Sequence, residues 1–404
     1  MKRRTLLLAL LLVVVTAGAA LAEVCLSPYV KRRAGPEKYL YVYAVDADAK
    51  DNDFLAVIDV NLASPTYGRV TNTVDLGSAG NEPHHMGFTD DRTRIFAGTL
   101  LSKRLYIMDV AADPAKPKII KTIDDITALT GLHGPHTYYA LPGRMLITFL
   151  SSADGNPPGG IAEFTNDGQL IRVFKNPANA PYAYDVAVKP EINRMITSSF
   201  TPLRNYMKPL AQWDMKDGGN TLLAWDFKER KVLQTLVTDP VPLEVRWSLK
   251  PGAAYGWTNS ALGDSIWFFT QTKAGGFMAK KAADLGKGCL PGDLRQSPDD
   301  RYLYVSCFMK SEIQAWDLSR GPDRPRLHDT VVPGVSPNMM HVTADGKRMY
   351  VTNSLLSTMD YSGNFWVRLA HIGPDGRLKM DPFFDVDFTK FPTGPARAHD
   401  MLLN

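Results

Sequence analysis

The chain has 404 residues, of which 45% are hydrophobic and 22% are charged, and its formal net charge is +4 at pH 7. This is the composition of an ordinary globular protein, and the length allows several domains or one large all-β domain. The charge is small and no basic cluster is interleaved with aromatic residues, which argues against a nucleic-acid-binding protein.

Residues 1–22 have the pattern of a secretory signal peptide. "MKRR" is a positive first region, "TLLLALLLVVVTAG" is an apolar stretch, and "ALA" at 20–22 is a small-residue cleavage site. We expect cleavage after Ala22, which leaves residues 23–404 as an exported, periplasmic protein. An uncleaved membrane anchor is the alternative, because the apolar run approaches the length of a membrane span. No later segment has that length and apolarity, so we expect no stable membrane insertion after cleavage.

The chain then repeats one pattern six times. Each copy begins with a short strand, turns at an Asp- or Gly-rich tetrad and continues through three more strand-like runs. With His85, His136, Asp185, Glu244, Asp293 and Met340 as corresponding starts, the intervals are 51, 49, 59, 49 and 47 residues. A period near fifty residues with four strands per copy is typical of β-propeller blades.

The two ends of the mature chain complete each other. "YLYVYAV", "FLAVIDV" and "RVTNTVDL" near the N-terminus match the second, third and fourth strands of a copy, and "ARAHDMLLN" at the C-terminus matches a first strand. Together they make a seventh blade and close the ring. The sequence therefore predicts an all-β fold, with one seven-bladed β-propeller domain over residues 23–404. We expect long insertions at 111–135, with one short helix, and at 201–220, both over a face of the disc.

The first strand of each blade lines the central channel of a propeller, which brings distant residues together. The side chains expected there are those of His84 or His85, His136, Asp185, Glu244, Asp293, His341 or Met340, and His399. Five of the eight histidines fall in these strands, whereas His133, His328 and His371 fall in a connection and in outer strands. Clustered imidazoles suit copper, zinc, iron or nickel. The alternative is a wet channel whose polar side chains bind water.

Three further expectations concern the channel carboxylates, the adjacent histidines and the cysteines. The carboxylates of the channel either orient imidazoles or satisfy inner-strand amides and arginines such as Arg246 and Arg295. Because Pro83 favours an irregular strand start, we expect both His84 and His85 to face a metal. Of the three cysteines at most one pair forms a disulfide, and Cys307 is expected to be buried as a small hydrophobic residue.

Several stretches resemble the selenium-binding protein / methanethiol oxidase family, in the family's order and spacing. The most specific are "EPHHMGF", "GPHTYYA", "DGKRMYVTNSLLSTMD" and "GPARAHD". The resemblance implies a seven-bladed propeller and, for the bacterial branch, a periplasmic copper-dependent oxidase. Such an enzyme converts methanethiol, dioxygen and water to formaldehyde, hydrogen sulfide and hydrogen peroxide.

The resemblance also implies roles for individual residues. The copper ligands are His84, His85, His136 and His399, and His341 stands where relatives carry Gln, as an extra ligand or a partner of one. As a separate mechanistic hypothesis, which the resemblance does not supply, we take Glu244 or Asp185 as the candidate carboxylate for taking the methyl proton. Gly68 replaces a cysteine of the animal proteins, so selenium binding through that thiol is not expected. The alternative function is a non-catalytic periplasmic propeller that binds copper or a protein partner, and either function is compatible with an oligomer.

Overall fold

Residues 23–404 are described by a computed structural model, in which seven four-stranded antiparallel sheets form a closed ring. The predicted signal peptide, 1–22, lies outside the described residues. The innermost strands are β4 (Pro83–Phe88), β8 (Leu132–Leu141), β12 (Val186–Lys189), β16 (Pro242–Trp247), β20 (Pro291–Gln296), β24 (Met340–Val342) and β28 (Ala396–Leu403). The second strands are β5 (Arg94–Thr99), β9 (Arg144–Ser152), β13 (Arg194–Thr197), β17 (Tyr255–Ser260), β21 (Tyr302–Cys307), β25 (Arg348–Thr352) and β1 (Tyr39–Asp46).

The outer half of each sheet follows the same order. The third strands are β6 (Leu105–Asp109), β10 (Gly160–Thr165), β14 (Thr221–Asp226), β18 (Ser265–Gln271), β22 (Glu312–Asp317), β26 (Trp366–Ile372) and β2 (Phe54–Asp59). The outermost strands are β7 (Lys118–Ile123), β11 (Leu170–Lys175), β15 (Lys231–Val237), β19 (Phe277–Asp284), β23 (Arg326–Val331), β27 (Leu378–Asp387) and β3 (Val70–Asp75). Blades 1 to 6 begin with β4, β8, β12, β16, β20 and β24, and blade 7 joins β28 to β1–β3.

Helix is confined to short connections. The helices are α1 (Ile126–Thr130), α2 (Leu203–Tyr206) and the 3-10 turns Pro190–Ile192, Leu210–Gln212 and Met215–Asp217. Within residues 23–404, no helix has the length and apolar character needed to cross a membrane.

Burial explains why these segments become strands. The second and third strands pack against neighbouring blades on both faces, so they are apolar nearly throughout, and every residue of β21 is buried. The outermost strands face solvent on one side, and β3 alternates between half-buried and exposed residues. The predicted closure is confirmed, because β28 pairs antiparallel with β1 and contacts β4 of the next blade.

One irregularity recurs at the inner strands of blades 1, 2, 4, 5 and 7. In β4, the three-residue step from Pro83 to Met86 faces the two-residue step from Thr99 to Ala97, so the strand bulges at His84 and His85. The same bulge occurs at 135–138, 242–245, 291–294 and 398–401. A bulge turns two adjacent side chains out of simple alternation, which is the irregular strand start expected at Pro83.

Acidic side chains in these inner strands fasten one blade to the next. Asp185 accepts the backbone N–H of Val245 at 2.8 Å, and Asp400 accepts that of Met86 at 3.0 Å. The contacts show that His85 corresponds to Thr137, Asp185, Glu244, Asp293, Met339 and Asp400, whereas His84 corresponds to His136 and His399. The repeat alignment was therefore wrong by one residue at His136 and at Met340, because bulges make neighbouring positions hard to separate by sequence spacing.

Other expectations have mixed outcomes. His133 is the second residue of β8 and is not in a connection, so six of the eight histidines lie in inner strands. Residues 111–135 are not an insertion, since they include outermost strand β7, although the short helix α1 is present. Cys289 and Cys307 form a buried disulfide, and Cys25 has a free thiol.

Candidate metal centre

Four histidines from three consecutive blades meet beside the propeller axis. The rings of His84 and His399 stack with centroids 3.8 Å apart, and the centroid of His85 lies 4.3 Å from that of His136. All four side chains are buried. One ligand nitrogen from each of His84, His85 and His399 lies within 4.8 Å of the other two, which is close enough for a shared metal ion. His136 completes the four-ring cluster, 5.0 Å from His84 between centroids.

Hydrogen bonds fix the direction of three of these rings. Nδ1 of His399 donates to the Ser354 carbonyl at 2.8 Å, Nδ1 of His136 to the Thr137 hydroxyl at 3.1 Å, and Nδ1 of His85 lies 3.4 Å from the Asp400 carboxylate. With the proton on Nδ1, Nε2 of each ring carries the lone pair. Those three Nε2 atoms are buried and, within the described part of the chain, accept no hydrogen bond. Such orphaned nitrogens beside oriented rings fit a metal ion better than a wet channel.

The electrostatics keep most of the cluster neutral, as metal ligation requires. Burial and the neighbouring imidazoles lower the pKa of His84 and of His136 well below the ordinary value, and they lower the pKa of His399 to about 3. Burial also lowers the pKa of His85, but the hydrogen bond and charge of Asp400, together with the charges of Glu244 and Asp185, outweigh it and raise that pKa. Among the four rings, the protonation of His85 therefore depends most directly on a neighbouring carboxylate, that of Asp400.

Comparisons with known proteins identify the family to which this chain belongs. Residues 24–404 match the family model described as 56kDa selenium binding protein (SBP56). The chain belongs to the 56-kDa selenium-binding protein family. It is 37% identical to a methanethiol oxidase of Hyphomicrobium sp., covering 95% of this chain and 91% of that one. A methanethiol oxidase of Ruegeria pomeroyi is 34% identical, with 94% and 92% covered.

A solved structure supports the same assignment. The structure of a hypothetical selenium-binding protein from Sulfolobus tokodaii superposes with a TM-score of 0.85 at 27% identity, covering 92% of this chain and 94% of that chain. The seven-bladed propeller predicted from the repeat is therefore confirmed, and this solved relative shares it.

The remaining predicted site residues of this family member lie on one side of the cluster. Nδ1 of His341 donates to the Met401 carbonyl at 2.9 Å, and its ring is not among those in contact with the four-ring cluster. Asp185 accepts from Arg246 at 2.7 Å and from the Thr137 hydroxyl at 2.9 Å. Glu244 also pairs with Arg246, and burial raises the pKa of Glu244 to about 7.

Both interpretations of the channel carboxylates therefore hold in part. Asp185 fastens strands and binds an arginine, yet through Thr137 it also orients the ring of His136. Asp293 binds Arg295 at 2.8 Å and the backbone N–H of Met340 at 2.9 Å, contacts that belong to the purely structural interpretation.

Asp400 is a functional residue that sequence reasoning missed. A signal for it exists, because "AHDML" has the same form as "AYDVA", "PGDLR", "PLEVR" and "PHHMG". In each stretch the third residue stands at the position from which Asp185 and Asp293 accept a backbone N–H of the next blade. A carboxylate at 400 could therefore have been assigned the equivalent contact to the backbone N–H of Met86. Its neighbour across that contact is then His85.

A second missed feature is an apolar cavity of about 30 Å³ beside His84 and His136. One water molecule needs roughly 10–15 Å³ of such space, so the cavity suits a molecule of two or three heavy atoms. Its wall is formed by residues of strands and of seven connections between strands: Leu100, Leu150, Tyr184, Phe200, Leu210, Trp213, Val241, Leu243, Ala261, Leu262, Leu290, Pro291, Gly292, Leu355, Leu356 and Met359. Leu210 and Trp213 confirm that the segment 201–220 lies over a face of the disc, the face nearest His84.

Proposed function

We propose that this protein is a copper-dependent oxidase of methanethiol and similar small thiols. The observation that carries the proposal is the placement of oriented imidazoles, with free Nε2 atoms, beside an apolar cavity for two or three heavy atoms. Methanethiol has two heavy atoms, one apolar and one that binds soft metals. The curated relatives at 37% and 34% identity carry the name methanethiol oxidase, which agrees with this chemistry.

In the proposed reaction, methanethiol, dioxygen and water are converted to formaldehyde, hydrogen sulfide and hydrogen peroxide, with one molecule of each consumed or formed. The carbon loses two electrons and dioxygen gains them, while the oxygen of water ends in formaldehyde. Atoms and electrons balance without a further reductant.

The donor set and the chemistry together favour copper. Imidazole nitrogens suit copper, zinc, iron and nickel, but zinc has no redox chemistry and thiolates prefer soft ions. Copper held by His84, His85 and His399, with His136 beside them, would supply thiolate binding and electron transfer to dioxygen.

The chain's own residues have separate tasks in this proposal. Leu243 and Leu356 contact the methyl group and exclude water from it. Asp185 acts as a positioning residue, because its oxygen holds Thr137 against Nδ1 of His136. Glu244 does not line the apolar cavity but lies on the other side of the cluster, where it is the proposed acceptor of a proton from the water that the reaction consumes, since a carboxyl whose pKa lies near 7 exchanges protons at neutral pH.

We also propose that the protein works in the periplasm. The signal-peptide pattern of residues 1–22 supports export, and the buried Cys289–Cys307 disulfide suits an oxidising compartment. Sequencing the N-terminus of protein from the periplasmic fraction should find Glu23 first; cytoplasmic protein that begins at Met1 would contradict the proposal.

The decisive experiment combines metal analysis with product stoichiometry. Protein purified without added metal should contain about one copper per chain and should release formaldehyde, sulfide and peroxide in equal amounts from methanethiol. Glu244→Gln and Asp185→Asn should both slow turnover; full turnover of both variants would remove their proposed roles. Copper-loaded protein that never consumes a thiol would refute the oxidase and favour a copper-binding propeller.

A further inference from the structure

The four-ring cluster is approached by cavities from both faces of the propeller. The apolar cavity reaches His84 and His136, whereas a cavity of about 330 Å³ reaches His85 and Asp400 from the opposite face. Among residues 23–404 the two cavities share no lining residue. The division follows the bulges of blades 1, 2 and 4, where the first residue of the adjacent pair lines the apolar cavity and the second lines the larger one.

The larger cavity, which we call the polar chamber, is lined by charged groups. Arg246, Glu244 and Asp185 form a connected ion-pair network on its wall, and Arg295 and His341 also line it. The Nε atom of Arg246 is buried and has no hydrogen-bond partner in the described part of the chain. Buried polar atoms of this kind are usually satisfied by water. A chamber of this volume holds on the order of ten water molecules.

The outer end of the polar chamber lies under the first described segment, residues 23–33. Ser27 donates to the Ala140 carbonyl at 2.7 Å, and the Cys25 thiol accepts the backbone N–H of Val342 at 3.3 Å. These contacts tie the segment to blades on two sides of the mouth. Exposed Pro28 and the partly exposed Glu191 also line the chamber, so it extends from the surface to His85.

We propose that the polar chamber is the route by which water reaches the metal centre, so that thiol and water approach the same metal from opposite faces. The inference rests on the proposed function, whose reaction consumes one water per thiol. Apart from the two imidazoles, the apolar cavity offers almost no polar partner to water, and a water molecule needs two to four. The chamber offers such partners along its whole length. A molecule as apolar as methanethiol has the reverse preference.

Cys25 gives a direct test, because its side chain lines the chamber far from the cluster in sequence and belongs to no strand. Cys25→Phe should narrow the chamber, and Cys25→Ser is the matched control that keeps a hydrogen-bond acceptor for Val342. Both variants and the wild type are loaded with Cu²⁺, and the longitudinal relaxation of water protons is measured as a function of protein concentration. We expect Cys25→Phe to lower the copper-dependent relaxivity at least about two-fold, with copper content unchanged, and Cys25→Ser to match the wild type.

A substitution that narrows the apolar cavity completes the test. Leu243→Phe, on the apolar side, should leave the relaxivity unchanged while raising the KM for methanethiol. If Cys25→Phe does not fold, wild-type Cys25 can be blocked with a benzyl methanethiosulfonate, with treated Cys25→Ser as the control, and the same fall in relaxivity is expected.

Three results would overturn the route: equal relaxivity in Cys25→Phe and Cys25→Ser, a fall caused by Leu243→Phe instead, or no copper-dependent relaxivity in the wild type. A protein that consumes no thiol but whose relaxivity falls on blocking Cys25 would refute the oxidase and retain the water route. The two failures are therefore distinguishable.

Discussion

Asp400→Asn should weaken copper binding about 10- to 100-fold without unfolding the protein. One carboxylate oxygen of Asp400, Oδ2, makes two contacts: it accepts the backbone N–H of Met86 at 3.0 Å and lies 3.4 Å from Nδ1 of His85. An Asn oxygen in the same place keeps both contacts but lacks the negative charge. The neutral amide is a weaker acceptor for the Nδ1–H of His85, so Nε2 of that ring becomes a less basic metal ligand.

The magnitude follows from known effects of residues that orient metal-bound histidines. Removing such a partner costs about 10- to 100-fold in metal affinity, or about 1.4–2.8 kcal/mol. The rings of His399 and His136 keep their own hydrogen bonds, so binding weakens but is not abolished. The chain also loses the negative charge that raises the pKa of His85, and the pKa of that buried ring should fall.

A competition titration with a copper chelator at pH 7 measures the affinity, and thermal unfolding checks the fold. Asp293→Asn is the matched control, because Asp293 makes the same kind of contact to Met340 of the next blade but touches no imidazole. It should lower the melting temperature and leave the copper affinity within about two-fold. The reasoning is refuted if Asp400→Asn binds copper as tightly as the wild type.

Three further outcomes are expected. His399→Ala should lose stoichiometric copper after dialysis, whereas His371→Ala, whose side chain is 51% exposed on an outer strand, should keep it; equal copper content by elemental analysis would contradict the ligand assignment. Leu243→Ala should raise kcat/KM for ethanethiol relative to methanethiol by about 10-fold or more, since one methylene in an apolar pocket is worth about 1–3 kcal/mol, and an unchanged ratio would place the thiol elsewhere. Burial raises the pKa of Asp360 to about 7, so the stability linked to its proton is full below about pH 4 and is lost as pH rises through 7. Asp360→Asn should therefore gain stability over the wild type with rising pH, by at most about 1.4 kcal/mol per pH unit; urea unfolding at pH 4.5, 6 and 8 that shows a constant difference would contradict this.

The sequence was sufficient for the fold and for four of the imidazoles, because both depend on repetition. The four-strand pattern recurs about every fifty residues. The three strands near the N-terminus lack a first strand and the last strand of the chain has no partners, so together they complete one blade. His84, His85, His136 and His399 then follow from the rule that first strands line the axis. Their side chains are close in space since the blades are consecutive, as the contacts of β28, β4 and β8 show.

The details that were missed depend on bulges and on contacts between blades. Sequence spacing cannot decide whether His84 or His85 corresponds to His136, since a bulge inserts one residue without changing the strand. The partner of His85 is Asp400, 315 positions away in the numbering and visible only once blades 7 and 1 are adjacent. The apolar cavity was also missed, because its wall comes from one or two residues of many different elements.

The arrangement of the inner residues also explains why the metal centre and the apolar cavity lie side by side. The positions equivalent to His84 carry histidine only in blades 7, 1 and 2, whereas blades 3, 4 and 5 carry Tyr184, Leu243 and Gly292. Histidines on three consecutive blades gather the imidazole cluster on their own side of the ring. The opposite side is then left to apolar or small residues, and at Gly292 a Cβ atom would lie only 2.3 Å from the Asn338 side chain. Both the histidine cluster and the apolar cavity beside it therefore follow from one asymmetric choice of residues at a single position of a seven-fold repeated strand.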